Sequence, residues 1–119
     1  LIERIEVMIE KTIRDYLKDE LKVPVYLETP KSIPDKYIVI EKTGSSTENY
    51  ITSSTFAINS YDTTLLKTVQ LSEGVKAVMR ELADGDEVTK VELSEHNHTD
   101  NRENKYCYQV VADVTHYEI

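Results

Sequence analysis

The sequence predicts an α+β fold, a mostly antiparallel β-sheet with two helices packed on one face in the order α-β-β-β-α-β-β. Three observations lead there. Two long segments carry apolar residues every three or four positions, five shorter runs are rich in β-branched and aromatic residues, and Pro, Gly, Asn and Asp punctuate the stretches between them. With 119 residues, one domain over 1–119 with one core is expected, since a second independent core would be undersized.

Ile2, Ile5, Ile9, Ile13, Tyr16 and Leu17 recur at helical spacing, with Glu3, Arg4, Glu6, Glu10, Lys11, Arg14 and Asp15 on the other faces. This predicts an amphipathic helix from Ile2 to Leu21, stopped by Pro24, which lacks an amide proton and disfavours helical geometry in its predecessor. Val25-Tyr26-Leu27 then reads as a short strand. Past the turn-forming Pro30, Ser32, Pro34 and Asp35, the run from Tyr37 to Lys42 predicts a second strand bounded by Gly44 and Ser45. Ile51 to Tyr61 predicts a third, with Phe56 and Ile58 on one face and enough polar residues to leave much of it facing solvent or a neighbour.

Asp62 or Thr63 can cap a second helix, whose apolar stripe is Leu65, Leu66, Val69, Val75, Val78, Met79 and Leu82, with Gly74 weakening its middle and Asp84-Gly85-Asp86 ending it. Val88 to Leu93 predicts the next strand and Ser94 to Asn104 a polar, mobile hairpin loop. Tyr106 to Tyr117 predicts the last and longest strand, with Tyr106, Tyr108, Val110, Ala112 and Val114 on one face.

Composition narrows the function. The net charge of −8 opposes phosphate binding, which needs clustered Lys and Arg, so sequence-specific nucleic-acid binding is not expected. The charge is compatible with the wall of a channel through which DNA slides. Cys107 is the only cysteine, so neither an intrachain disulfide nor a thiolate cluster can form, and a reducing, intracellular setting is expected. No apolar run approaches the roughly 20 residues of a membrane span, so no membrane is expected as partner. The absence of an initial Met suggests a trimmed or processed chain.

Several segments resemble the tail terminator and tail-completion family of long-tailed phages, the group of the lambda-type terminator and related "minor capsid" prophage proteins. They are the opening amphipathic helix, Val25-Tyr-Leu-Glu-Thr-Pro30 leading into Tyr37-Ile-Val-Ile-Glu-Lys-Thr-Gly44, the strand Thr55-Phe-Ala-Ile-Asn-Ser-Tyr61, and a polar hairpin closing on Asn104-Lys-Tyr-Cys-Tyr-Gln-Val-Val-Ala-Asp-Val-Thr-His-Tyr117. The likeness covers nearly the whole chain and consists of strand and turn patterns, with no invariant chemical motif. It implies a virion protein, made in the host cytoplasm, whose copies close into a hexameric ring on the finished tail tube. Such a ring stops polymerisation and presents a surface to the head. The implied partners are the chain itself, the tail tube protein and the head-tail connector protein, and no catalytic residues or cofactors are implied. A neck or head-completion protein would share the pattern and differ in the surface it docks.

A ring needs complementary edges rather than chemistry. Two segments are candidates to supply them. One is the polar stretch Thr47 to Ser60, with Asn49, Tyr50, Ile51, Thr52 and Ser54, whose strand edge would pair with a neighbour; the alternative is an ordinary solvent-facing strand. The other is the loop Glu95 to Asn104, with His96, Asn97, His98, Asp100 and Arg102, free to reach a partner or simply a disordered hairpin tip. From a different class, a small ligand- or metal-binding module would use His96 and His98 with Glu95 and Asp100, although a flexible loop lacks the rigid second shell a metal site needs. Cys107 and His116 do not form a thiol–base pair, because nine positions along one strand separate them by roughly 30 Å, on opposite faces. Gly44, Gly74 and Gly85 are isolated and build no phosphate loop, and no Ser-centred elbow is present, so an enzyme is not expected. The strand tyrosines at 26, 37, 50, 61, 106, 108 and 117 suit sheet packing and also serve as interface anchors.

Overall fold

The computed structural model describes residues 2–48, 51–82, 88–97 and 106–117, with the side chains of 2–8, 88, 89, 96, 97 and 117 left aside. Its elements are α1 (Ile2–Leu21), β1 (Val25–Tyr26), β2 (Tyr37–Glu48), β3 (Ile51–Asp62), α2 (Leu65–Leu82), β4 (Val88–Asn97) and β5 (Tyr106–Tyr117). The expected α+β order is present. The sheet runs β1-β2-β3-β5-β4, antiparallel throughout except for the parallel pair of β1 and β2.

Helix α1 buries Ile9, Ile13 and Leu17, the positions that helical spacing places on one face. It ends at Lys22, which sits in the left-handed region (φ 56°) and donates its backbone N–H to the Lys18 carbonyl at 2.9 Å. Pro24 follows two residues later, the usual place for a residue that cannot continue a helix. The Pro24 carbonyl in turn accepts the Ile38 N–H at 3.0 Å, which starts the parallel pairing of β1 with β2.

Helix α2 is capped one residue later than the sequence indicates. Thr64 Oγ1 accepts the Lys67 N–H at 3.2 Å, and Thr68 Oγ1 donates to the Thr64 carbonyl at 2.7 Å. Asp62 Oδ1 instead accepts the Thr63 N–H at 2.7 Å in the approach to the helix. The buried face also differs from the expected stripe: Thr68, Leu71, Ser72, Val75, Val78, Met79 and Leu82 face the sheet, whereas Leu65 and Leu66 are exposed. Small polar residues take two of the inward positions because each has a partner: Thr68 bonds the Thr64 carbonyl within the helix, and Ser72 bonds Glu95 of β4. Gly74 marks the contact with α1, since a Cβ there would lie 2.9 Å from Leu21 Cδ2.

Both helices lie on one face of the sheet, where Phe56, Ile58, Ile38, Ile40, Val110, Ala112 and Val114 meet Ile13, Leu17, Val75 and Met79 in one apolar cluster. Full burial of side chains of this size contributes about 1.5–3 kcal/mol each before conformational entropy is counted.

Three strand assignments are corrected. Strand β2 does not stop near Gly44 but continues to Glu48, absorbing an irregularity between Lys42 and Gly44. Strand β3 is not a partly exposed strand with a free edge. It is the central strand, paired along its full length with β2 and β5, and its polar residues Thr52, Ser54, Ser60 and Asp62 are buried. Strand β4 runs on through Ser94 and Glu95 to Asn97, four residues into the expected loop, so β2, β3 and β5 share the greatest length at 12 residues each.

Candidate assembly interface

The strand registers divide the sheet into two ends. At the inner end lie the start of β2, the end of β3 and the start of β5, where Tyr37 pairs with Tyr61 and Tyr61 with Cys107. At the outer end the β2–β3 hairpin narrows to Glu48 opposite Ile51, beside Tyr117 of β5.

Alternation assigns the side chains of each strand to the helix-covered face or the helix-free face. At the outer end of the covered face, Ser54 Oγ and His116 Nε2 are 3.2 Å apart in the buried interior, and the Thr47 and Thr52 hydroxyls are 3.0 Å apart. Thr52 and Ser54, candidates for contact with a partner, are thus buried within their own chain, because the strand that carries them is central. Ile51 is 42% exposed, and with Ser46, Glu48 and Ser53 it lines a shallow depression on the helix-free face. Asn49, Tyr50, His98, Asp100 and Arg102 lie outside the described residues. The backbones of His96 and Asn97 belong to β4, opposite Gln109 and Tyr108 of β5.

Glu95 is fastened to α2 rather than free in a loop. Its Oε2 accepts the Ser72 hydroxyl at 3.1 Å and sits 3.0 Å from Lys76 Nζ, which also pairs with Glu73 at 2.7 Å. Hydrogen bonds to Glu73 and then to Glu95 raise the Lys76 pKa above its usual 10.5. A carboxylate considered for metal binding is therefore engaged in holding the sheet edge against the helix.

Among the described residues no helix covers the opposite face. Thr55 Oγ1 donates to Asp113 Oδ1 at 2.5 Å, Gln109 Nε2 donates to Asn59 Oδ1 at 3.0 Å, and Lys90 pairs with Glu92 at 2.6 Å. Glu92 raises the pKa of Lys90 through that hydrogen bond. Towards the inner end the Tyr37 and Tyr61 rings stack with centroids 4.6 Å apart and planes 7° from parallel, and Tyr26 meets Tyr37 edge-on at 6.3 Å. Cys107, in register with Tyr61, is buried. These tyrosines pack on one another, as the composition of the strands suggested. At the covered inner end, Asp62 is buried and pairs with Lys36 at 3.6 Å, too long for a hydrogen bond.

Among the described residues the site offers backbone edges and a hydrogen-bonded polar sheet face. The residues that organise it, Glu95, Ser72, His116 and Ser54, were not singled out together from sequence because their pairings span 23 and 62 positions. No helix among the described residues is long and apolar enough to cross a membrane.

No family model and no curated protein sequence matches the chain. Among solved structures, the fold is similar to that of a chain in the virion of a native gene transfer agent particle, with a TM-score of 0.62 and 10% sequence identity. The match covers 85% of this chain and 84% of that one. The α+β architecture is thus shared with a component of an assembled virion particle.

Proposed function

We propose that this protein is a structural component of a phage or prophage particle, a tail terminator whose copies close as a ring on the completed tail tube and form the surface that joins the head. The observation that carries this is the likeness, over most of both chains, to a chain of a gene transfer agent virion. The segmental resemblance of the sequence to the terminator family supports it independently of the fold. In this role the chain performs no turnover and needs no cofactor. Its partners are other copies of itself, probed first as hexamers, the tail tube protein and the head-tail connector protein.

The test is to mix the purified chain with tail tubes assembled from the tube protein and, separately, with connector-bearing heads, and to image both. Rings seated at one end of the tubes, with elongation halted, are the expected result. Binding to heads alone would move the protein to the neck, and binding to neither would overturn an assembly role at the head-tail junction.

A further inference from the structure

We infer that copies of this chain associate side by side through their sheets, the free outer half of β2 in one copy pairing antiparallel with β4 of the next. This deepens the assembly role proposed above and rests on it.

The two edges are complementary in direction. Strands β2, β3, β5 and β4 alternate in direction along the sheet. A second copy placed beside the first in the same orientation therefore sets its β4 antiparallel to β2, with both helix layers on the same side. This is a heterologous contact, the kind that closes into a ring when the rotation per copy divides a full turn.

The edges are also open over the same stretch. Strand β1 pairs with Ile38 and Val39 of β2, and among the described residues no strand covers β2 from Gly44 to Glu48 or the outer side of β4. Tracing level positions across the sheet through the registers puts Leu93 at the height of Lys42, Glu92 at that of Gly44, Val91 at that of Ser45 and Lys90 at that of Ser46. No like charges oppose one another in that alignment. On the helix-free face, Lys90 lies next along from the level of Glu48, so a neighbour's cation meets the acidic tip of the hairpin.

Space permits the approach. Gly44 to Glu48 are exposed along this edge. A glycine inside a strand marks a bulge or a place where another backbone comes close, and Gly44 lies at the irregularity that follows Lys42. Neither stretch contains a proline, one of the devices that keep an edge unpaired; the inward-pointing charges there are Lys42 on β2 and Glu95 on β4, the latter engaged by Ser72 and Lys76 within its own chain.

The experiment is disulfide trapping in the full chain carrying Ser46→Cys and Lys90→Cys together. Within one chain these positions lie three strand spacings apart, about 14 Å, beyond the roughly 7 Å limit between Cα atoms for a disulfide, and the native Cys107 is buried. A cross-linked product therefore reports contact between copies. The expected result under mild oxidation is a ladder of species beyond dimers that ends at a closed ring, with each single variant stopping at dimers. Pairing Ser46→Cys with Glu92→Cys or Ser94→Cys instead covers a register shifted along the edge. Absence of a ladder from all three pairings, at concentrations up to those used in the tube-binding test, would overturn the edge pairing, while binding to tubes or heads would leave the assembly role standing. A ladder from chains that bind neither tubes nor heads would support the edge pairing and count against the head-tail role.

Discussion

Replacing Glu95 by Ala tests whether the end of β4 is held to α2 as the geometry indicates. The change removes the carboxylate that accepts the Ser72 hydroxyl at 3.1 Å and leaves that hydroxyl, on a fully buried residue, without its acceptor. Hydrogen bonds to charged groups contribute about 1.5–3 kcal/mol, and a buried polar group left unpaired costs a similar amount. The Glu95 side chain is 30% exposed, which places the effect at the lower end, and its ion pair with Lys76 adds little because Lys76 keeps Glu73 and partly exposed pairs contribute about 0.2–1 kcal/mol. The expected loss is about 2 kcal/mol, which lowers the urea midpoint by about 1 M for a denaturant slope near 2 kcal/mol/M. In a Ser72→Ala background no hydroxyl is stranded, and the cost of Glu95→Ala should fall to about 1 kcal/mol or less. Equilibrium urea unfolding of the four proteins in the cycle measures both values. A loss below about 0.5 kcal/mol in both backgrounds would show that Glu95 does not anchor the strand.

Three further outcomes are expected. Gly74→Ala gains up to about 1 kcal/mol of helix propensity but drives its Cβ against Leu21 Cδ2 at 2.9 Å. Thermal melts should therefore show little net change in the wild-type background and a clear rise in Tm when Leu21→Ala is also present. Lys22→Gly relieves a non-glycine residue at φ 56° and should stabilise the protein by about 0.5–1 kcal/mol in urea titrations, the left-handed strain of about 1–2 kcal/mol less the entropy lost with glycine. The Lys76 pKa is raised above 10.5 on folding, so its contribution is complete below that value and is lost as pH rises through the folded-state value. The stability difference between wild type and Lys76→Met should be level from neutral pH to about 10 and shrink above it, as followed by urea unfolding at each pH.

The fold class was legible because its signals are local. Helix α1 shows its period and its stop, and the Pro24 and Lys22 region ends it as proline chemistry requires, whereas the expected stop of α2 at Asp84-Gly85-Asp86 lies outside the described residues. The position of each strand within the sheet was not legible, and β3 shows why. Its covered positions are Thr52, Ser54, Phe56, Ile58, Ser60 and Asp62, a regular alternation in which only two members are apolar. Hydropathy alone makes such a strand look peripheral. The partners that let Thr52 and Ser54 be buried are Thr47, across the hairpin, and His116, on another strand, and nothing within a short window announces them. The same holds for β4, where Glu95 looks like the start of a loop until Ser72 and Lys76 are brought alongside.

These buried polar residues follow from a mismatch of lengths. Strands of 12 residues span about 40 Å at 3.3 Å per residue, whereas the 18 residues of α2 span about 27 Å at 1.5 Å per residue, and the molecule is correspondingly elongated at 45 × 26 × 23 Å. An apolar core can be sealed only where helix and sheet overlap, around Phe56, Ile58, Val110 and Ala112. Towards the outer end the inward positions pass to residues that satisfy one another, Ser54 with His116 and Thr47 with Thr52, whereas towards the inner end Asp62 Oδ1 accepts the Thr63 N–H while Asp62 Oδ2 and the Ser60 hydroxyl are buried with no hydrogen-bond partner among the described residues. A purely apolar continuation would leave a large hydrophobic patch on the monomer, a liability for any chain that must remain monomeric until it meets its partners. With a polar outer end, the sheet edges of β2 and β4 that no described strand covers can associate only through directional hydrogen bonds, which fix the register and orientation of a partner where a hydrophobic patch would not.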